Sequence, residues 1–218
     1  MSNNVVDPSR SPGLESIPIE DAFRADLAKF YSIELGSPTP PLRQRAWLWT
    51  RHFGLHCVAA YRLHRYARRQ LREHPVLVRP LLTLAQALSY GMRLVHHVEL
   101  NAEVGPGFYI GHASNIFVGP TRIGRNFSIT HNVTIGVGHQ RLAPGIPVIG
   151  DDVWVGTGSV LSGAIRVGNS VTVSNGTMLS RTVPDGCLVG GNPGRVVQPS
   201  YDNNPLFSHR GAQAEAEH

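Results

Sequence analysis

The stretch "IGDDVWVGTGSVLSGAIRVGNSVTVSNGTMLS", Ile149 to Ser180, carries an aliphatic residue at every sixth position: Ile149, Val155, Leu161, Val167, Val173 and Leu179. The residue after each is small: Gly150, Gly156, Ser162, Gly168, Ser174 and Ser180. Four places after each aliphatic stands another small or β-branched residue, from Val153 through Ile165 to Val183. With roughly a quarter of residues aliphatic, six hits in one phase have a chance of about one in several thousand. A beat of six fits a β-helix whose coil has three short flat sides. The aliphatic points inward, and the small residue beside it permits the tight corner.

The same beat runs earlier, through Val104, Ile110 and Ile116 and, after a slip of one residue, through Ile123, Ile129 and Ile135. Between Ile135 and Ile149 lies an off-beat insertion, "GVGHQRLAPGIPV". It must bulge from the coil as a loop, and long loops on repeats are often functional. The pattern predicts a β-helix over residues 98–199 with a loop at 136–148.

Upstream, over 17–97, the pattern is helical. "IPIEDAFRADLAKFYSIEL" puts Ala22, Phe23, Leu27, Phe30 and Tyr31 on one face. "RAWLWTRHFGLHCVAAYRLHRYARRQLREH" predicts one long amphipathic helix or a pair. Its polar side carries Arg62, Arg65, Arg68, Arg69 and Arg72, read as a solvated face, with a membrane surface as the alternative. "VLVRPLLTLAQALSYGMRLV" predicts a third helical segment, begun or bent at Pro80. The polar segment 1–16 reads as disordered, and 200–218 as a loose tail. The expected class is therefore α+β, a helical region followed by a β-helix.

Composition agrees with one domain plus appendages. The 218 residues are 41% hydrophobic and only 16% charged, with 23 Gly and 16 Pro, which favours a turn-rich β architecture. A net charge of +5 suits acidic small molecules such as phosphate-bearing cofactors. Without aromatic-rich basic runs, nucleic acid is not an expected partner. Cys57 and Cys187 match no metal spacing and read as free thiols in a reducing cytoplasm. Residues 1–16 hold no apolar leader, and no apolar run is long enough to span a bilayer, so a cytoplasmic protein is expected.

Register turns sequence into geometry. If three hexads make a coil, Ile110 and Ile129 stack, and His112 and His131, two places after them, share one edge about 5 Å apart. Thr157 and Asn175 continue that column. The inserted loop, with His139, Gln140 and Arg141, leaves the coil close to this edge.

The run "VIGDDVWVGTGSVLSGAIRVGNSVTVSNG", followed by "VPDGCLVGGNPGRVV", resembles the hexapeptide-repeat acyltransferases, which fold as left-handed parallel β-helices and work as trimers. A helical region feeding "VGPGFYIGHASNIFVGPTRIGRNFSITHNVTIGVG" resembles, more narrowly, the serine O-acetyltransferase family, over roughly Phe23 to Val197. The resemblance implies acetyl-CoA as co-substrate, no metal, a small acceptor alcohol, and a homotrimer or dimer of trimers.

It also implies roles. Acyl transfer from a thioester to an alcohol needs a base for the hydroxyl proton, a donor for the oxyanion, and groups that orient both substrates. His112 matches the family's catalytic histidine. His131, His139 and Arg141 become candidates for acceptor binding. Gly138, Thr157 and Asn175 suit the lining of a pantetheine groove, and Arg181 and Arg195 suit the CoA phosphates.

The departures are equally specific. Where the family carries Asp before its catalytic histidine, this chain has Gly111. Where it carries an Arg-His pair after the loop, this chain has Gly145 and Ile146. The family's orienting carboxylate falls on His97, and Glu99, two places on, is the candidate replacement. The leading expectation is L-serine O-acetylation, in cysteine biosynthesis. The alternatives are a sugar or exopolysaccharide acceptor, and a non-catalytic trimeric scaffold.

Overall fold

The computed structural model describes residues 17–71, 74–138 and 145–207. The expectations for 1–16, His139, Gln140, Arg141, Arg72 and the last part of the tail fall outside these residues. Four helices come first: α1 (Ile19–Leu35), α2 (Leu42–Arg51), α3 (Phe53–Gln70) and α4 (Pro75–His96). The long amphipathic segment is thus a pair, broken at His52, whose backbone turns extended (φ −101, ψ 94). Its imidazole Nδ1 accepts the Leu55 N–H at 3.3 Å and so caps α3. Pro80 lies inside α4 rather than at its start. Among the described residues no helix is long and apolar enough to cross a membrane.

The strands, numbered in chain order, form three sheets, one per side of a left-handed parallel β-helix of about five turns. The first side stacks β1 (Val98–Leu100), β4 (Ile116–Val118), β7 (Thr134–Gly136), β10 (Val160–Ser162) and β13 (Met178–Leu179). The second stacks β2 (Glu103–Val104), β5 (Arg122–Ile123), β8 (Val148–Ile149) and β11 (Arg166–Val167). The third stacks β3 (Tyr109–Ile110), β6 (Ser128–Ile129), β9 (Trp154–Val155), β12 (Thr172–Val173) and β14 (Leu188–Gly190). An antiparallel strand, β15 (Arg195–Gln198), closes the lower end against β14.

The six-residue beat is the register of this stack. Ile110, Ile129, Val155, Val173 and Val189 pair in succession down the third side. Val104, Ile123, Ile149 and Val167 do so down the second. All are buried, and each is worth about 1.5–3 kcal/mol of hydrophobic stabilisation. The slip falls inside β4. Val118, not Ile116, stacks on Ile135, while Ile116 pairs with Val98 and is buried as well.

Corners are built from residues that tolerate a left-handed backbone. After the third side these are Asn115 (φ 51), Asn132 (φ 56), Gly158 (φ 72) and Gly176 (φ 70). On another corner, side chains of one coil satisfy backbone donors of the coil above. Asp151 Oδ1 accepts from Arg125 N (2.6 Å), Asn169 Oδ1 from Asp151 N (2.9 Å) and Asp185 Oδ1 from Asn169 N (2.9 Å).

The helices cap the first coil. Arg62 donates to Val104 O (2.8 Å) and Gly105 O (2.6 Å), and pairs bidentately with Asp26 at 2.7 and 3.0 Å. Asp26 accepts from Phe108 N at 2.7 Å. Tyr61 Oη donates to Ala102 O and accepts from Val104 N, both at 3.0 Å. Arg65 reaches Glu103 at 2.9 Å, and Arg69 reaches Ile17 O at 3.0 Å. The expected solvated arginine face is therefore, apart from exposed Arg68, a docking face. Three and four residues along, it presents donors to a backbone edge that needs them. Likewise α1 buries Asp26 and Lys29 beside Ala22 and Phe30.

At the other end, the segment expected as a loose tail folds back as far as it is described. A short 3-10 turn at Asn204–Phe207 sets the Phe207 ring 6.0 Å from Trp154, with Lys29 Nζ 4.6 Å from its centroid.

Two substitutions test the cap. Asp26→Asn strands the Arg62 guanidinium in the core and is expected to lower stability by about 3–5 kcal/mol in urea unfolding. Gly54→Ala should stabilise a helix by up to about 1 kcal/mol on propensity alone. Here an added Cβ would sit 2.0 Å from Ile110 O, so the expected sign is reversed, with a loss of about 1–3 kcal/mol in the same measurement.

Candidate active site

The site begins from one corner of the β-helix. Stacking of Ile110 on Ile129 carries His112 and His131 to the same edge, as the hexad register predicts. Their rings meet edge-on with centroids 5.7 Å apart. His112 is exposed and His131 half-buried. The Nδ1 of His131 is shielded from solvent and has no hydrogen-bond partner among the described residues. Below them the column continues as an ordered polar edge: Thr130 and Thr157 hydroxyls lie 3.0 Å apart, and Asn175 Oδ1 accepts from Thr157 N at 3.0 Å.

The helices supply the facing wall. Gly54 lets the start of α3 touch the backbone of β3 directly. That contact brings the α2–α3 break over the histidine corner. A cavity of about 620 Å³ results. Its floor is Gly111, His112, Ala113 and Ser114 with His131, and its wall is Glu34, Arg51, His52 and Phe53. Glu34 is fixed by two donors. His52 Nε2 lies 3.3 Å from Glu34 Oε1, and the Tyr109 hydroxyl donates to the same oxygen. Because Nδ1 of His52 already accepts from Leu55, its proton sits on Nε2 and points at Glu34.

The other candidates separate. Glu99 does not line this cavity. It pairs with Arg93 at 3.1 Å, accepts from Asn101 at 2.9 Å, and faces a second cavity of about 260 Å³ beneath α3 and α4. The cause is local: His97 ends α4 in a left-handed conformation (φ 53), which turns β1 so that Glu99 meets the helix. Cys57 also lines that second cavity, and burial pushes its thiol up to about 12, so it is no nucleophile near neutral pH. Gly138 donates to Gly145 O at 3.2 Å across the neck of the inserted loop. Arg181 and Arg195 are exposed on the lower coils. Among the described residues no group of three or more His, Cys, Asp or Glu is placed to hold a metal ion.

Gly145 explains why no arginine stands there. Its φ is 126, and a Cβ would lie 2.8 Å from the Ala164 Cβ. The loop re-enters the coil through a conformation that excludes side chains.

Sequence reasoning missed Glu34, Arg51 and His52. One signal was present. Glu34 stands in the last turn of α1, where the helix dipole disfavours an acid, so a compensating partner is to be expected.

No family model matches the chain. It is 33% identical over 147 residues to a serine acetyltransferase of Bacillus pumilus, a match that covers 66% of this chain and 64% of that relative's length. It is 28% identical over 171 residues to a serine acetyltransferase of Helicobacter pylori, covering 77% of this chain and 95% of the relative. Its fold is similar to that of a soybean serine acetyltransferase solved in complex with serine, with a TM-score of 0.63, 27% identity, and coverage of 82% of this chain and 69% of that one. Both the repeat with its histidine corner and the helices that cap it lie within this similarity, and the chain is similar to serine acetyltransferases while spanning less than two thirds of the length of the Bacillus relatives it matches.

Proposed function

We propose that the protein is an acetyl-CoA-dependent O-acetyltransferase that acetylates the hydroxyl of L-serine, with His112 as general base. The observation that carries this reading is the exposed His112, its ring edge-on to that of His131, at the floor of an open cavity large enough for a small acceptor. The reaction balances simply. The acceptor oxygen attacks the thioester carbonyl carbon as its proton passes to His112. A C–O bond forms, the tetrahedral intermediate collapses, the C–S bond breaks, and the proton moves from His112 to the departing CoA sulfur. The products are the O-acetyl ester and free CoA.

The remaining candidates take positions within this scheme. His131, half-buried and lining the same cavity as His112, is suited to a hydrogen bond with the acceptor. Thr157 and Asn175 form the ordered edge along which a pantetheine arm lies, with Gly138 at its top and Arg181 and Arg195 available to CoA phosphates. His139 and Arg141 lie outside the described residues and stay candidates for acceptor binding. Glu99 serves instead as a tie between α4 and β1.

The reading includes assembly as a homotrimer or dimer of trimers. Phe117 and Met178, on the outer surface of the first sheet, are 41% and 44% exposed, with Val137 beside β7 at 59%. Such large apolar side chains suit burial against a second copy.

The decisive assay follows CoA thiol release from acetyl-CoA with L-serine. Turnover on serine is expected, and turnover on sugar alcohols with none on serine would replace this acceptor. His112→Ala is expected to lower kcat by about 10²–10⁴-fold with an unchanged circular dichroism spectrum.

A further inference from the structure

We infer that the acceptor's amino-acid head is read by the helical domain, with Glu34 of α1 binding its ammonium and Arg51 of α2 its carboxylate. The inference rests on the serine reading above and deepens it. A free amino acid brings two opposite charges into the site, and each needs a partner once water is displaced. Among the described residues, the β-helix corner supplies neither. Gly111 precedes His112, and the loop returns through Gly145 and Ile146, with Gly145 closed to any side chain by its backbone and by Ala164.

The cavity wall supplies both. Of the described residues lining it, Glu34 is the only carboxylate and Arg51 the only guanidinium or ammonium. They come from different helices, α1 and α2, and share the cavity with His112 and His131. Glu34 is pre-oriented. Its side chain is only 19% exposed, and the His52 ring and Tyr109 hydroxyl fix one carboxylate oxygen. An ammonium meeting it loses little conformational freedom in the protein, the condition under which a charged contact discriminates between ligands. Arg51 ends α2 with its guanidinium 5.8 Å from the Trp47 ring centroid, an exposed cation on the rim of the cavity. The planar fork of a guanidinium matches a carboxylate bidentately.

Arranged this way, the two charges hold the amino acid by its α-carbon substituents and leave the side-chain hydroxyl for the histidine corner. The site is thus specific for small amino alcohols that carry a carboxylate. Ligands lacking either charge forfeit one of the two charge-assisted contacts.

The test is a double dissociation in kcat/KM. Three acceptors are compared: L-serine, serinamide (ammonium only) and 3-hydroxypropionate (carboxylate only). The wild-type chain is compared with Glu34→Gln, which keeps an acceptor oxygen for Tyr109 and His52, and with Arg51→Met. The wild type is expected to prefer serine over both analogues. Glu34→Gln should cut the preference for serine over 3-hydroxypropionate by about 10–100-fold and leave that over serinamide largely intact. Arg51→Met should do the opposite, and KM for acetyl-CoA should not move in either variant. A general loss of activity with both preferences unchanged would assign the two residues a structural role and overturn the inference. Wild-type protein that does not acetylate serine would overturn the serine reading itself, and this inference with it.

Discussion

The open edge of the first coil is the constraint on which the rest of the structure depends. A β-helix pairs every inner coil above and below, but its end coil presents unpaired backbone donors and acceptors. Buried without partners, each would cost about 1–3 kcal/mol. Here Arg62 and Tyr61 meet the carbonyls of Ala102, Val104 and Gly105, while Asp26 and Tyr61 meet the amides of Phe108 and Val104. The Arg62–Asp26 pair is 5% and 0% exposed. Replacing a buried pair by apolar groups is often neutral or stabilising. In this position an apolar pair would leave the edge carbonyls unmatched, so the ions persist because the backbone requires them.

That cap also fixes the functional cavity. Its hydrogen bonds set the register of α3 on the coil, and Gly54 sets the distance. Together they place the α2–α3 break above His112. His52 joins the two roles. It ends α2, caps α3, stacks edge-on against Phe30 at 5.1 Å, and holds Glu34. A change that loosens the cap therefore also moves one wall of the cavity, so stability and the proposed acceptor recognition rest on the same few contacts.

The features legible in the sequence were those imposed by translation along the repeat. Because each hexad puts one residue inward, the positions of Ile110 and Ile129 predict that His112 and His131 meet, and they do. The slip before Ile123 was visible, but not that Val118 would take the inward place on Ile135; both Ile116 and Val118 are apolar, and only pairing distinguishes them. Arrangements made between helix and coil left little trace. The arginines of α3 have the spacing of a solvated face, and only an edge with unmatched carbonyls converts it into a docking face. Glu34 is far from His112 in sequence, and its proximity depends on the break at His52 and the close approach at Gly54. Glu99 failed as an orienting carboxylate for a similar reason: one left-handed residue, His97, turns it toward Arg93.

The division of labour in the site follows from what each part of the fold tolerates. A hexapeptide corner repeats a tight backbone path. It can hold an imidazole column, but a corner glycine such as Gly145 has no room for a charged side chain. A helix surface has no such restriction, and a helix end can present a long side chain without disturbing the packing beneath. Charge complementarity to a zwitterion is a requirement on the cavity, not on any one position in the chain. An acid and a base brought from α1 and α2 satisfy it as well as an acid and a base on the coil, provided that the helices cannot move relative to the histidines. The hydrogen-bonded cap meets that condition. On the proposed reading, the coil is then free to keep small residues around His112, where the acceptor hydroxyl would lie, while specificity would reside in the wall that the cap holds in place.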